Sequence, residues 1–263
     1  MTMRLRPRRA RVVGAPVDAV TEIELLDTID DWIRDGGTHV AVGVNANVCN
    51  LAWRDGSFRR RLDDAELCYA DGQSVVGAAR LLGHPVPARL ATTDIVHPVA
   101  ARAAANGVRV FLFGGRPGVA DRAAERLRRE NPGLVTAQHD GYLGADDLPR
   151  LLARIDDFAP GILLVGLGDP AQQHWIAEHR DRLAVPAVLS CGGLFDWLAG
   201  EHRRAPAWMI RAGLEWLWRL VIEPRRLARR YLIGNPAFVL RLGRQLLRAG
   251  RRGRGEPAVG GGS

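Results

Sequence analysis

From residue 18 to about 200, short runs rich in β-branched and apolar residues alternate with stretches of roughly 11 to 17 residues whose apolar positions recur at helical spacing. That rhythm restricts the fold more than any single motif does. The strand candidates are "THVAVGV" (38–44), "ELCYA" (66–70), "VRVFLF" (108–113), "LVTAQH" (134–139), "ILLVGL" (162–167) and "PAVLSC" (186–191). Between them lie patterns such as "PGVADRAAERLRRE" (117–130), where Pro117 suits a first helical turn and Val119, Ala123 and Leu127 share one face. Strands joined through helices run parallel, and a parallel sheet needs cover on both faces. The predicted fold is therefore a Rossmann-like α/β core, a mostly parallel sheet sandwiched by helices.

A chain of 263 residues with 47% hydrophobic content can fill one sizeable core. Three cysteines, Cys49, Cys68 and Cys191, are too few and odd in number for a disulfide framework, which points to a reducing compartment. The N-terminal "MTMRLRPRRARVVGAPV" is basic but lacks the apolar run of a secretory signal, and no stretch reaches membrane-spanning length. Charge divides the chain. Residues 1–200 hold 23 Arg against 25 Asp and Glu, a net of −2, whereas residues 201–254 hold 14 Arg against 3 Glu, a net of +11. The predicted organisation is an α/β domain over 1–200, an Arg- and Trp-rich helical appendage over 201–248, and a disordered tail over 249–263.

In a parallel sheet, ligands sit beyond the carboxyl ends of the strands. Here those positions read Asn45 and Asn47, Asp71-Gly72, Gly114-Gly115, Asp140-Gly141-Tyr142, Gly168-Asp169-Pro170 and Gly192-Gly193. Each pair alone is ordinary turn chemistry, and Gly72 reads as a turn residue. Six such ends facing one crevice, several opening a helix whose amides would meet a phosphate, point to a site. The glycine patterns match neither a dinucleotide fingerprint nor a P-loop, which weakens an NAD- or SAM-dependent reading. Seven scattered His lack ligand spacing, and the pairs Asp63-Asp64, Asp146-Asp147 and Asp156-Asp157 fall in helical patterns as surface charge. Neither a metal nor another cofactor is expected.

The segment "PAWMIRAGLEWLWRLVIEPRRLARRYLIGNPAFVLRLGRQLLR" interleaves Trp, Leu and Ile with Arg and is broken at Pro224 and Asn235-Pro236. Aromatic residues with Arg on punctuated helices fit an interfacial membrane anchor, with Trp at headgroup depth and Arg on anionic lipid. A nucleic-acid-binding tail on an inert α/β body is the alternative.

Taken together, "VVGAPVDAVT", "VNANVCNLAWRD", "YADGQSVVGAARLLG", "ARLATTDIV", "VFLFGGRPGVA", "HDGYL", "ILLVGLGDPAQQHWI", "GGLFDWLAGEHRRAPAWM" and "GLEWLWRLVIEPRRLARRYLIGNPAFV" resemble, in order, the blocks of the WecG/TagA/CpsF glycosyltransferases, glycosyltransferase family 26. The resemblance implies a bacterial inverting enzyme that moves a hexose or N-acetylhexosamine from a UDP-sugar to a polyprenyl-diphosphate-linked saccharide in cell-surface glycan synthesis. It also implies a cytoplasmic location, peripheral to the inner face of the plasma membrane. The implied partners are a UDP-sugar donor, a lipid-linked saccharide acceptor and an anionic membrane surface, with no nucleic acid, and a homo-oligomer is compatible with the pattern. Asp71 falls on the family's proposed general base, Asn45 on its cleft asparagine and Gln172 on the glutamine of its P-x-Q-E motif. Arg89, Thr93 and Asp94 fall on the R-x-x-x-T-D block, and Arg219, Arg226 and Arg229 on appendage arginines thought to meet the diphosphate. Gly114, Gly115, Tyr142, Gly192 and Gly193 complete the expected substrate-binding set, and Arg203 and Arg204 stand near the hinge. Three positions depart from the pattern: Gly43 where many relatives carry Thr, and Ala171 and Gln173 where they carry Lys and Glu.

Overall fold

The computed structural model describes residues 8–144, 146–201, 205–206, 208–209 and 215–253. Its centre is a parallel sheet of six strands in the order β4-β3-β8-β7-β5-β6. These are β3 (His39–Val44), β4 (Leu67–Ala70), β5 (Val110–Gly114), β6 (Thr136–His139), β7 (Ile162–Gly166) and β8 (Ala187–Ser190). Each coincides with one of the expected runs to within two residues.

Side chains alternate between the two faces of a strand, so each face builds its own apolar layer. Val40, Val42 and Val44 of β3 join residues of α2 (Ala46–Arg54), α3 (Gly56–Asp63), α4 (Gln73–Leu81), α7 (Asp147–Phe158) and α8 (Ala171–His179). Ala41, between them, joins the opposite layer with α1 (Glu22–Asp35), α5 (Thr92–Ala105), α6 (Val119–Glu130) and α9 (Leu194–Leu198). This is the two-sided cover that a parallel sheet requires. One helix start differs from expectation: Gly118 takes a left-handed conformation (φ 78°), which breaks the helical run and leaves Pro117 in the preceding turn.

An antiparallel hairpin precedes the sheet, β1 (Arg9–Val12) and β2 (Ala15–Asp18), and the strand reading that began at residue 18 does not include it. Its two-residue turn, Val13-Gly14, has φ of 47° and 88°, the left-handed pair of a type I′ turn, but lacks the Asn-Gly signature that would reveal it. Asp18, 2% exposed, holds the hairpin to the body by accepting two hydrogen bonds from Arg9 at 2.8 Å and one from Cys68 N at 2.7 Å.

After α9 the described appendage comprises α10 (Glu215–Ile222), α11 (Pro224–Ala228), a π-helical turn (Arg229–Ile233) and α12 (Gly234–Gly253). The last helix continues to Gly253, past the predicted start of a tail at 249. It packs on α2 and contributes Phe238 and Leu242 to the core layer beneath it. Asn50 Nδ2 donates to Gly234 O at 2.8 Å, Arg241 donates to Asn50 Oδ1, and Gln245 exchanges hydrogen bonds with the hairpin at Arg11 O (2.7 Å) and Val13 N (2.8 Å).

Candidate active site

Over the carboxyl ends of β4, β3, β8 and β7 opens a cleft of about 860 Å³, walled on its outer side by appendage residues including Trp216, Arg230, Tyr231 and Phe238. Asn45, the first residue after β3, caps α2 and accepts from Asn47 N (3.0 Å) and Val48 N (3.3 Å). Asp71 follows β4 and caps a different helix. Ala91, the residue before α5, has no side chain to offer, so Asp71 Oδ1 accepts from Thr92 N at 2.8 Å and Thr92 Oγ1 at 3.1 Å. Asp71 Oδ2 accepts from Asn45 Nδ2 at 3.3 Å and retains lone-pair capacity.

Behind this carboxylate, the Tyr69 hydroxyl lies 3.0 Å from Thr92 Oγ1. Burial, with Asp71 adding to it, pushes the Tyr69 phenol well above its ordinary pKa. Tyr69 therefore stays protonated and donates to Thr92, whose own hydroxyl proton is left for Asp71. Gly43 makes room for this arrangement: a Cβ there would lie 3.0 Å from Thr92 Oγ1, 3.1 Å from the Tyr69 hydroxyl and 3.2 Å from Asp71 Cβ. The volume a threonine would use at 43 is occupied by Thr92. Gly72 has φ −107°, so no left-handed turn demands it. A Cβ there would press on Asn45 at 3.3 Å, and close approach of Asn45 is the reason for glycine.

The β7 end contributes a second polar group. Asp169 Oδ1 accepts from Gln172 Nε2 (2.7 Å) and Gln173 Nε2 (2.8 Å), and Gln172 Oε1 accepts from Gly192 N (2.8 Å). A glutamate at 173 would place a second carboxylate against Asp169, whereas Gln173 donates to it. Asn47 Nδ2, 3.5 Å from Asp169 Oδ2, links the two groups. Among the described residues, Ser190 Oγ and Arg230 Nε are buried without a hydrogen-bond partner, and both residues line the cleft, where a polar ligand would satisfy them.

The structure brings together Asp71, Asn45, Arg89, Thr93, Gln172, Gly192 and Gly193. Asp94 stands just off the cleft wall, with Arg89 Nη2 3.9 Å from its Oδ2. Gly114, Gly115 and Tyr142 are not brought to the cleft. β5 and β6 lie at the far side of the sheet, and their loops close on one another. Gly141 N donates to Gly115 O (2.8 Å), Gly115 N donates to Gly166 O (3.2 Å), and a Cβ at Gly114 would collide with Gly166 O at 2.4 Å. Tyr142 faces solvent, 67% exposed. Arg203 and Arg204 lie outside the described residues, as do the side chains of Arg219 on α10 and Arg226 on α11. Arg229 is exposed and does not line the cleft. Its neighbour Arg230 turns in and donates to Asn45 Oδ1 at 3.2 Å. The π turn inserts a residue into the helical repeat and so changes which arginine faces inward, a shift that regular spacing cannot reveal.

One stripe of α4 completes the wall. Ser74, Gly77, Ala78 and Leu81, spaced i, i+3, i+4 and i+7, all line the cleft. Gly77, inside the helix, costs about 1 kcal/mol of helix stability relative to Ala. No packing among the described residues explains it, since a Cβ there would meet none of them within 4 Å.

Residues 10–252 match the Glycosyl transferase WecG/TagA/CpsF family. Among curated proteins, the chain is 28% identical over 246 residues to the N-acetylglucosaminyldiphosphoundecaprenol N-acetyl-beta-D-mannosaminyltransferase of Staphylococcus aureus strain MRSA252, covering 92% of this chain and 96% of that protein. The same-named protein of strain NCTC 8325 / PS 47 is also 28% identical over the same 92% and 96%, and that of strain MW2 is 27% identical. With the match spanning the sheet, the cleft and the appendage, the chain belongs to the WecG/TagA/CpsF family of glycosyltransferases.

Proposed function

We propose that this glycosyltransferase moves a sugar from a UDP-sugar, with inversion, to the free hydroxyl of a saccharide carried on polyprenyl diphosphate, with Asp71 as the base. The observation that carries this reading is the Asp71 environment. Oδ1 is held by two donors from Thr92, whereas Oδ2, beside Asn45, keeps capacity to take a proton from a hydroxyl in the cleft. Inversion needs one displacement and one base, and a positioned base contributes about 10²- to 10⁴-fold.

The leaving UDP carries away negative charge, which the N-terminus of α4 is suited to receive. No side chain caps that helix start, and Gly72, Gln73 and Ser74 all line the cleft. The acceptor class is supported by the names of the staphylococcal relatives, which act on a diphosphoundecaprenol-linked N-acetylglucosamine. Peripheral attachment to a membrane is supported by the surface. Among the described residues, nine of the 13 exposed large hydrophobic ones fall between Trp208 and Leu247, including Val221 at 70% and Leu240 at 67%, and no helix is long and apolar enough to cross a bilayer. The arginines Arg230 and Arg241 bond to Asn45 and Asn50 of the body, which favours a role at the site over a tail reserved for nucleic acid.

Incubation with a panel of UDP-sugars and a short-chain lipid-diphosphate-GlcNAc tests the reading. One donor should release UDP and yield a product of inverted anomeric configuration, and Asp71→Asn should abolish the release. Full activity in that variant removes Asp71 as the base.

A further inference from the structure

Gly77 weakens α4 with no compensating contact among the described residues, and it borders the cleft. The stripe it belongs to has a direction. α4 begins two residues after Asp71 and rises about 12 Å from Gln73 to Leu81. Its cleft-facing residues change from Gln73 and Ser74 beside the carboxylate to Gly77, Ala78 and the 67%-exposed Leu81 at the outer end.

The facing wall repeats that order. Arg230 meets Asn45 at the inner end, and Asn235, Phe238, Val239 and Leu242 follow along α12. Both helices lead toward the N-terminal hairpin, since α4 packs on β1 and Gln245 of α12 bonds to Arg11 and Val13. From inside outward, the cleft thus offers a carboxylate, a guanidinium and an apolar channel. An acceptor of the proposed class presents a sugar hydroxyl, a diphosphate and a hydrocarbon chain in the same sequence.

We propose that the space kept open by Gly77, between the α4 stripe and Val239 and Leu242 of α12, binds the first isoprenoid units of the acceptor lipid. This rests on the acceptor class proposed above. Charge complementarity fixes the register, because a diphosphate held at Arg230 sends its chain outward past Gly77. Glycine at 77 gives the chain room beside the helix backbone, and since a Cβ there meets no described atom within 4 Å, a large side chain would extend into the channel.

Farnesyl diphosphate and inorganic diphosphate are the probes, titrated against the full-length protein and its Gly77→Ala and Gly77→Phe variants. The wild type should bind farnesyl diphosphate more tightly than diphosphate. Gly77→Phe should reduce that preference by about tenfold or more, the loss expected when about two methylenes go unburied. Gly77→Ala should keep most of the preference and melt at the same or a higher temperature. An undiminished preference in Gly77→Phe, or an equal loss of both ligands, overturns the channel. The transfer assay separates the two ideas. A wild type that transfers sugar while Gly77→Phe keeps its preference retains the function and loses the channel. A Gly77-dependent farnesyl site in a protein that transfers no sugar retains the channel and loses the function.

Discussion

The strand ends of β3 and β4 and those of β5 and β6 carry the same vocabulary, Asn, Asp and Gly just after an apolar run, yet they serve opposite purposes. At β3 and β4 each polar side chain reaches across to another element: Asn45 to Asp71, Asp71 to Thr92, Arg230 back to Asn45. At β5 and β6 the glycines let backbones meet, Gly114 against Gly166 and Gly141 against Gly115, and the space that a ligand would use is filled by the chain itself. Strand-end composition therefore marks where a site can be, and the position of the strand in the sheet decides where it is. β3 lies between β4 and β8 under the appendage, whereas β6 is the opposite edge.

The contrast can be broken by substitution on either side. Asp71→Asn, which can still accept from Thr92, should lower kcat by about 10²- to 10⁴-fold with an unchanged melting temperature. A comparable loss on the β5 side would erase the distinction. Gly114→Ala should instead act on the fold, lowering stability by about 3 kcal/mol through its positive φ and the collision with Gly166, as read by denaturant unfolding. Activity per folded molecule should survive. Arg230→Ala should reduce kcat/KM by about 10- to 100-fold, the value of one or two charge-assisted hydrogen bonds, and Arg229→Ala by no more than about twofold. Equal effects would return the role to the neighbouring arginine. Thr92→Val keeps the backbone bond to Asp71 but removes the hydroxyl between Tyr69 and Asp71. About a tenfold fall in kcat is expected, restored by Thr92→Ser. Tyr142→Ala should change kcat/KM by less than about twofold, because the side chain faces solvent away from the cleft.

The departures from the family pattern become intelligible as pairs. A Cβ at Gly43 would crowd Thr92, and Gln173 shares a hydrogen bond with Asp169, so each departure sits against a definable neighbour. The first pairing is not visible along the chain, since 49 residues separate the two and only the folded contact relates them. Gln173→Glu alone would crowd two carboxylates.

Periodicity and turn chemistry are local properties, and they carried the six strands, the helices between them and the parallel sheet, because each is written within a dozen residues. The charge break near residue 200 is legible for the same reason. The N-terminal hairpin escaped because its turn uses Val13 in a left-handed conformation, held there by burial against the body and not by any preference of valine. Which strand ends open onto a cleft and which arginine the π turn directs inward were settled only by tertiary contacts. Arg230 and Asn45, for one, are 185 positions apart, and no local signal reports a distance in space.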